Sequence, residues 1–211
     1  MKKLLMVLLF LTGSANAQEF IKESKSITGI FEIKDKPKAE IFALINKWIS
    51  INYNSSVDVI QMNDLQSGTI IIKGINEVQQ KNNTKILYPK MKNIPESTPV
   101  KYNHLIEVNI KDNKYRIIYK LTSIASQDYG FNDISFGYVN LQEIDMKAID
   151  DFNEVMDENL KKGMIGEKKR ELMKIANKES IVELNSNLEK NIKNTMLSIE
   201  KSVSAVSKDD W

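Results

Sequence analysis

Apolar and polar positions alternate from Ile27 to Lys34, with Ile27, Gly29, Phe31 and Ile33 on one side, which predicts a β-strand. Asp35 is placed to cap a following helix, and Pro37 stands where a first helical turn tolerates a missing N–H. From there to about Tyr53 the period becomes helical, with Ile41, Leu44, Ile45, Trp48 and Ile49 in one stripe. Val57 to Met62 predicts a second strand, Asp64 to Gly68 a turn, and Thr69 to Val78, rich in β-branched residues, a third strand. Residues 81 to 99 contain Pro89, Pro95 and Pro99 and predict a surface excursion.

The clearest hairpin comes next. With Asp112-Asn113 as a two-residue turn, Ile110 faces Tyr115, Val108 faces Ile117 and Ile106 faces Tyr119. The same register gathers Glu107, Asn109, Arg116 and Lys120 on the other face. A slip in one strand alone would mix the two faces, so the agreement supports the register.

Residues 126 to 146 are glycine- and aromatic-spotted, with Tyr129, Phe131, Phe136 and Tyr138. Ala148 to Lys162 predicts a helix, interrupted by Gly163 and Gly166. A long polar helix is expected from about Glu167 to Ser207, along an apolar line through Ile181, Leu184, Leu188, Ile192, Met196, Ile199, Val203 and Val206. The order strand, helix, four strands, then helices defines an α+β fold, with a mainly antiparallel sheet carrying helices on its apolar face. The other face is expected to be mostly polar and open to water or a partner. Three segments follow: 1–17, an α+β domain at 18–147, and a helical C-terminal extension at 148–211.

The N-terminus adds compartment. Lys2 and Lys3 precede an apolar run from Leu4 to Leu11, and Ala15-Asn16-Ala17 offers the small-x-small pattern of a signal-peptidase site. The expected mature chain begins at Gln18 and is exported, periplasmic or secreted, and soluble. The apolar run falls short of the ~20 residues that span a bilayer. Lys2 and Lys3 also account for the excess of 30 basic over 28 acidic side chains, so the mature chain is neutral. That balance argues against a nucleic-acid partner. Zero cysteine excludes disulfides, thiolate chemistry and a lipidated cysteine anchor.

Lys38-Ala39-Glu40-Ile41-Phe42, then Lys47-Trp48-Ile49, are followed by Ser55-Ser56-Val57-Asp58-Val59-Ile60 and Asp64, and by Gly68-Thr69-Ile70-Ile71-Ile72-Lys73-Gly74. These landmarks resemble the bacterial domain-of-unknown-function family 4468, described as having a TATA-box-binding-protein-like (TBP-like) fold, over roughly residues 20–125. The resemblance implies a curved antiparallel sheet with helices on one side. It carries no assigned activity or catalytic residues, and a fold name does not transfer DNA binding.

Catalytic signatures are sparse. His104 is the single histidine, with no metal-spaced neighbour, and is expected at the surface or a strand edge. There is no G-x-S-x-G, P-loop or G-x-G-x-x-G motif. Asp150-Asp151 and Asp209-Asp210 are sequence neighbours, about 100° apart on a helix, and read as charge bias and solvated tail. No catalytic residue, metal or cofactor is expected; the residual enzymatic reading is a hydrolase whose carboxylate pair is assembled by the fold.

Two surfaces remain as candidates, each with a bland counterpart. The sheet face bearing Glu107, Asn109, Arg116, Ile118 and Lys120 is either a protein-interaction surface or a solvated face. Tyr129, Phe131, Phe136 and Tyr138 form either a lid over a small apolar ligand or packing beneath a long loop. On the long helix, Leu188, Ile192, Ile199 and Val203 could pack on the chain's own sheet, pair with a second copy, or dock on another envelope protein. The leading expectation is a non-enzymatic envelope or secreted binding module. The alternative is a carrier of a small apolar ligand held between sheet and helices.

Overall fold

The computed structural model describes residues 19–125 and 136–205. Strands β1 (Glu19–Lys22) and β2 (Ser26–Glu32) lead into helix α1 (Lys38–Asn52), a single turn α2 (Ser56–Val59), and strands β3 (Ile60–Asp64) and β4 (Thr69–Lys81). The turn α3 (Thr84–Leu87), strands β5 (Ser97–Lys111) and β6 (Lys114–Ile124), and helices α4 (Met146–Lys162) and α5 (Glu167–Ser204) follow. The strands form one six-stranded sheet in the order β1-β2-β6-β5-β4-β3, antiparallel at every pairing. No helix among the described residues is long and apolar enough to cross a membrane. The expected leader at 1–17, Tyr129, Phe131, Val206, Asp209-Asp210 and Trp211 lie outside the described residues.

The expected hairpin register holds. Ile110 pairs with Tyr115, Val108 with Ile117 and Ile106 with Tyr119, while Asn109 lies opposite Arg116. Its turn also starts α1. Asp112 Oδ1 accepts a 2.7 Å hydrogen bond from the Lys38 N–H, and Asn113 Oδ1 accepts a 3.0 Å bond from the Lys36 N–H. Asp35 therefore does not cap α1: it adopts φ 57° in the turn, Pro37 holds the cap position, and the cap is delivered from 74 residues away.

Other boundaries shift for local reasons. Ser55 accepts from the Asp58 N–H and closes α2, so the strand expected from Val57 begins only at Ile60. The excursion shrinks because β4 runs to Lys81 and pairs with β5 as far as Ser97. Pro99 lies inside β5, opposite Gln79, whereas β6 joins β5 only from Tyr102 onward. At Pro99 the strand is an edge, the setting in which a sheet tolerates proline.

One face of the sheet forms the core. Ile70, Ile72, Ile106, Val108, Ile117 and Tyr119 point into it, against Ile41, Ile45, Trp48 and Ile49 of α1. Leu184, Leu188, Ile192, Met196, Ile199 and Val203 of α5 belong to the same cluster. The segment beginning at 148 is therefore not an appendage, because its long helix completes the core. Burial of a Leu or Ile side chain contributes about 1.5–3 kcal/mol, so this helical line is a main source of stability. α4 packs along the N-terminal part of α5, where Arg170 Nε donates 2.9 Å to Asp157 and Arg170 Nη1 donates 2.8 Å to the Ile165 carbonyl.

Candidate functional site

The opposite face of the sheet is covered by no helix among the described residues. Strand register places its side chains in rows. One row runs Thr28, Ile118, Glu107, Ile71, Met62; the next runs Ile30, Arg116, Asn109, Thr69; a third runs Ser26, Lys120, Leu105, Lys73. The expected set Glu107, Asn109, Arg116, Ile118 and Lys120 is thus gathered on one surface. Arg116 donates to Asn109 Oδ1 from Nε at 3.1 Å and Nη2 at 2.7 Å, and Asn109 Nδ2 donates 2.9 Å to the Glu107 carboxylate. Leu105, Ile71 and Lys73 also belong to this surface and were missed, because only the β4–β5 register puts them there. The face is more apolar than expected, with Ile75 59% and Met62 39% exposed at its β4–β3 side.

The helical candidates are corrected by burial. Leu188, Ile192 and Val203 are 0% exposed and Ile199 1%, all packed into the chain's own core. A partner could reach them only by lifting α5 off the sheet.

His104 is also corrected. It points into the core face and is 5% exposed, opposite Gly74 on β4 and Leu121 on β6. Its ring lies against Tyr119 at 4.6 Å between centroids. The space it uses is that of an absent side chain, since a Cβ on Gly74 would stand 2.7 Å from His104 Nε2. Nε2 is 3.4 Å from the Tyr53 hydroxyl, and Nδ1 is buried without a hydrogen-bond partner among the described residues. Burial pulls the imidazole pKa down to about 4, so it is neutral at ordinary pH. The same burial raises Tyr53 to about 12.

His104 borders a cleft of about 430 Å³, which is also lined by Trp48, Tyr53, Asn76, Tyr119, Asn191 and Thr195. Asn76 Nδ2 donates 3.1 Å to the Tyr119 hydroxyl, and Trp48 Nε1 donates 3.0 Å to Ser198 Oγ. Glu77 is the one acidic residue of the lining, and its carboxylate pairs with Lys101 at 3.6 Å. Among the described residues, no group of three or more His, Asp and Glu is arranged to hold a metal ion.

Of the aromatic segment, Phe136 packs toward Tyr102 at 6.1 Å, and Tyr138 against Phe152 at 5.4 Å. Lys25 Nζ stands 4.4 Å over the Phe136 ring and donates to the Phe136 and Val139 carbonyls. Tyr138, Phe152, Met156 and Met173 border a cavity of about 210 Å³, whose lining also includes Asn83, Asn177 and Ser180. A larger depression of about 580 Å³ beside Lys25, Asn140 and Asp145 has a mixed lining that also includes Tyr138, Val139 and Ala148.

A one-sided α+β sheet, closed by two helices and open behind, is the class of molecule these features define. Residues 28–126 match the family described as "Domain of unknown function (DUF4468) with TBP-like fold". Two solved structures are similar. A TBP-like protein from Parabacteroides distasonis ATCC 8503 is 13% identical, with 86% of this chain and 94% of that one covered at a TM-score of 0.48. A DUF4468 family protein from Bacteroides ovatus ATCC 8483 is 13% identical, with 88% and 89% covered at a TM-score of 0.49. No curated protein matches the chain.

Proposed function

We propose that the chain is an exported, non-enzymatic binding module that docks an acidic segment of a protein partner on the open face of its sheet. The observation that supports this is the charge arrangement on that face. Lys73 and Lys120 flank Leu105 and make no ion pair among the described residues, and Arg116 is held by an amide instead of a carboxylate. Unpaired cations around Leu105, Ile118 and Ile71 suit a strand or loop that brings carboxylates and apolar side chains together. Glu107 in the middle row makes the face a poor match for a phosphate backbone. The non-enzymatic reading rests on His104, which is buried and neutral, and on there being no metal-holding group of His, Asp and Glu among the described residues. Export rests on the charge, apolar run and small-x-small order of residues 2–17.

Photo-crosslinking in the native cell tests the docking. A photoreactive residue at Ile71 or Leu105 is expected to trap one partner, and the same residue at Ile51, exposed on α1, to trap none. Cross-linking from Ile51 as strong as from the sheet face, or no product from the face, refutes the reading; so does a trapped complex that survives Lys73→Glu with Lys120→Glu. N-terminal sequencing of the native protein should begin at Gln18, and a start at Met1 overturns the export claim. The alternative, a carrier of a small apolar ligand, has the Tyr138–Phe152 cavity in its favour. That cavity is smaller than the roughly 300–1,000 Å³ of ligand pockets and has a mixed lining, so it ranks second. A bound mass of a few hundred daltons in native mass spectrometry would reverse the ranking.

A further inference from the structure

We infer that the cleft beside His104 is a second binding site, which takes a small uncharged polyhydroxylated ligand of the sugar class. It stands apart from the open sheet face, on the helix side of the sheet.

The cleft interrupts an otherwise apolar surface. Along β4 the inward positions run Ile70, Ile72, Gly74, Asn76, Val78, and along β5 they run Ile110, Val108, Ile106, His104, Tyr102. The polar break falls at adjacent levels of the two strands, with His104 opposite Gly74 and Asn76 opposite Tyr102. α5 changes at this level too: Asn191 and Thr195 sit beside its buried line, and Asn194 stands at the mouth. α1 brings Trp48, Asn52 and its capping neighbour Tyr53. Several separate elements thus place polar side chains around one space, where core packing alone would favour apolar ones. His104 keeps a buried Nδ1 with no partner among the described residues, a stability cost that an aliphatic residue would avoid.

The lining selects the ligand. Asn76, Asn191 and Asn194 amides and the Tyr53, Tyr119 and Thr195 hydroxyls each donate and accept, which is the pattern vicinal hydroxyl groups require. Asn191 Nδ2 is loosely held, 3.4 Å from both Asn76 Oδ1 and the Glu77 carbonyl, so it can re-aim to a ligand. Trp48 and Tyr53, edge to face at 6.0 Å, supply an apolar wall for ring C–H groups. No cation lines the cleft to pair with a phosphate or carboxylate, so phosphorylated or carboxylated ligands are disfavoured. A volume of about 430 Å³ lies within the ordinary range of small-molecule sites.

The test uses the full mature chain with Trp211→Phe, so that Trp48 is the sole indole emitter. Titration with glucose, galactose, mannose, N-acetylglucosamine and N,N′-diacetylchitobiose should give a saturable fluorescence change for at least one. Glucose 6-phosphate and glucuronate should give none. Asn194→Leu, at the exposed mouth, is expected to weaken the binding saccharide at least tenfold without lowering the melting temperature, and Asn191→Leu to do the same. Lys73→Glu with Lys120→Glu, on the other sheet face, should leave saccharide binding unchanged, which separates this site from the docking surface. Failure of every neutral saccharide, equal binding of the charged analogues, or wild-type affinity in both asparagine variants overturns the proposal.

Discussion

Lowering the pH from 7.5 to 4.5 should destabilise the protein mainly through His104. In the unfolded chain its imidazole has the ordinary pKa of 6.5, and in the folded chain desolvation lowers it to about 4. Above pH 7 both states hold it neutral and it contributes nothing to the pH dependence. As pH falls below 6.5 the unfolded state binds a proton that the native state refuses, so stability falls continuously until the pH passes through about 4. Integrating that difference to pH 4.5 gives a loss of roughly 2.5 kcal/mol, or about a 70-fold drop in the folding equilibrium constant. The window is nearly clean, because His104 is the single histidine. Asp64 and Glu189 have lowered pKa values, Asp64 chiefly through its hydrogen bond with Ser67 and Glu189 chiefly through its bond from Lys193. Their contributions are complete above their unfolded values of 3.8 and 4.5 and are lost only at lower pH. Urea denaturation at pH 7.5, 6.5, 5.5 and 4.5, for the wild type and His104→Phe, measures the slope directly. The wild type should lose stability over this range and the variant should stay nearly flat, whatever its absolute stability. Equal slopes in the two proteins, or an imidazole that titrates near 6.5 by NMR in the folded state, would refute the reasoning.

Gly74→Ala should destabilise by about 1–3 kcal/mol in urea melts, because its Cβ would press on His104, which packing against Tyr119 prevents from moving aside. Asp112→Ala should cost about 1 kcal/mol by removing the acceptor that starts α1, with Asp112→Asn losing much less. Leu188→Ala, at a position with no exposure, should cost about 2–5 kcal/mol by the same measurement, and a value near zero would contradict the docking of α5 on the sheet.

The parts of the fold legible in the sequence were those where one local pattern decides the outcome. The β5–β6 register follows from a two-residue turn and two alternating strands, and α1 from its helical stripe. Long-range contacts decided the rest. Asp35 precedes α1 by three residues and has the right chemistry to cap it, yet Asp112 does so, because the hairpin turn rests on the helix start. His104 follows Asn103 in a polar-looking stretch, and only the inward phase of Tyr102, Ile106 and Val108 reveals that it is buried. That phase was available in the hairpin register, since His104 lies two residues before Ile106 on the apolar side. The cleft itself was not legible, because Asn76, His104, Tyr119 and Asn191 come from four elements whose meeting depends on the β4–β5–β6 order and on where α5 crosses it.

Sheet geometry explains why the long helix had to fold back. Six strands at the usual spacing span about 24 Å, whereas one helix with its side chains is about 10 Å across. α1 alone would leave more than half of an apolar face in water, so a second helix with a long apolar line is required, and α5 has it. α5 packs against β4, β2 and α1, which closes the inner face. The cleft lies where that closure is incomplete, between the C-terminal end of α1 and the flank of α5, and the residues facing the gap are polar. A gap of simple poor fit would be lined with the Ile and Val that dominate the neighbouring rows. Asparagines, tyrosines and a neutral histidine at that place instead point to a ligand that completes the packing.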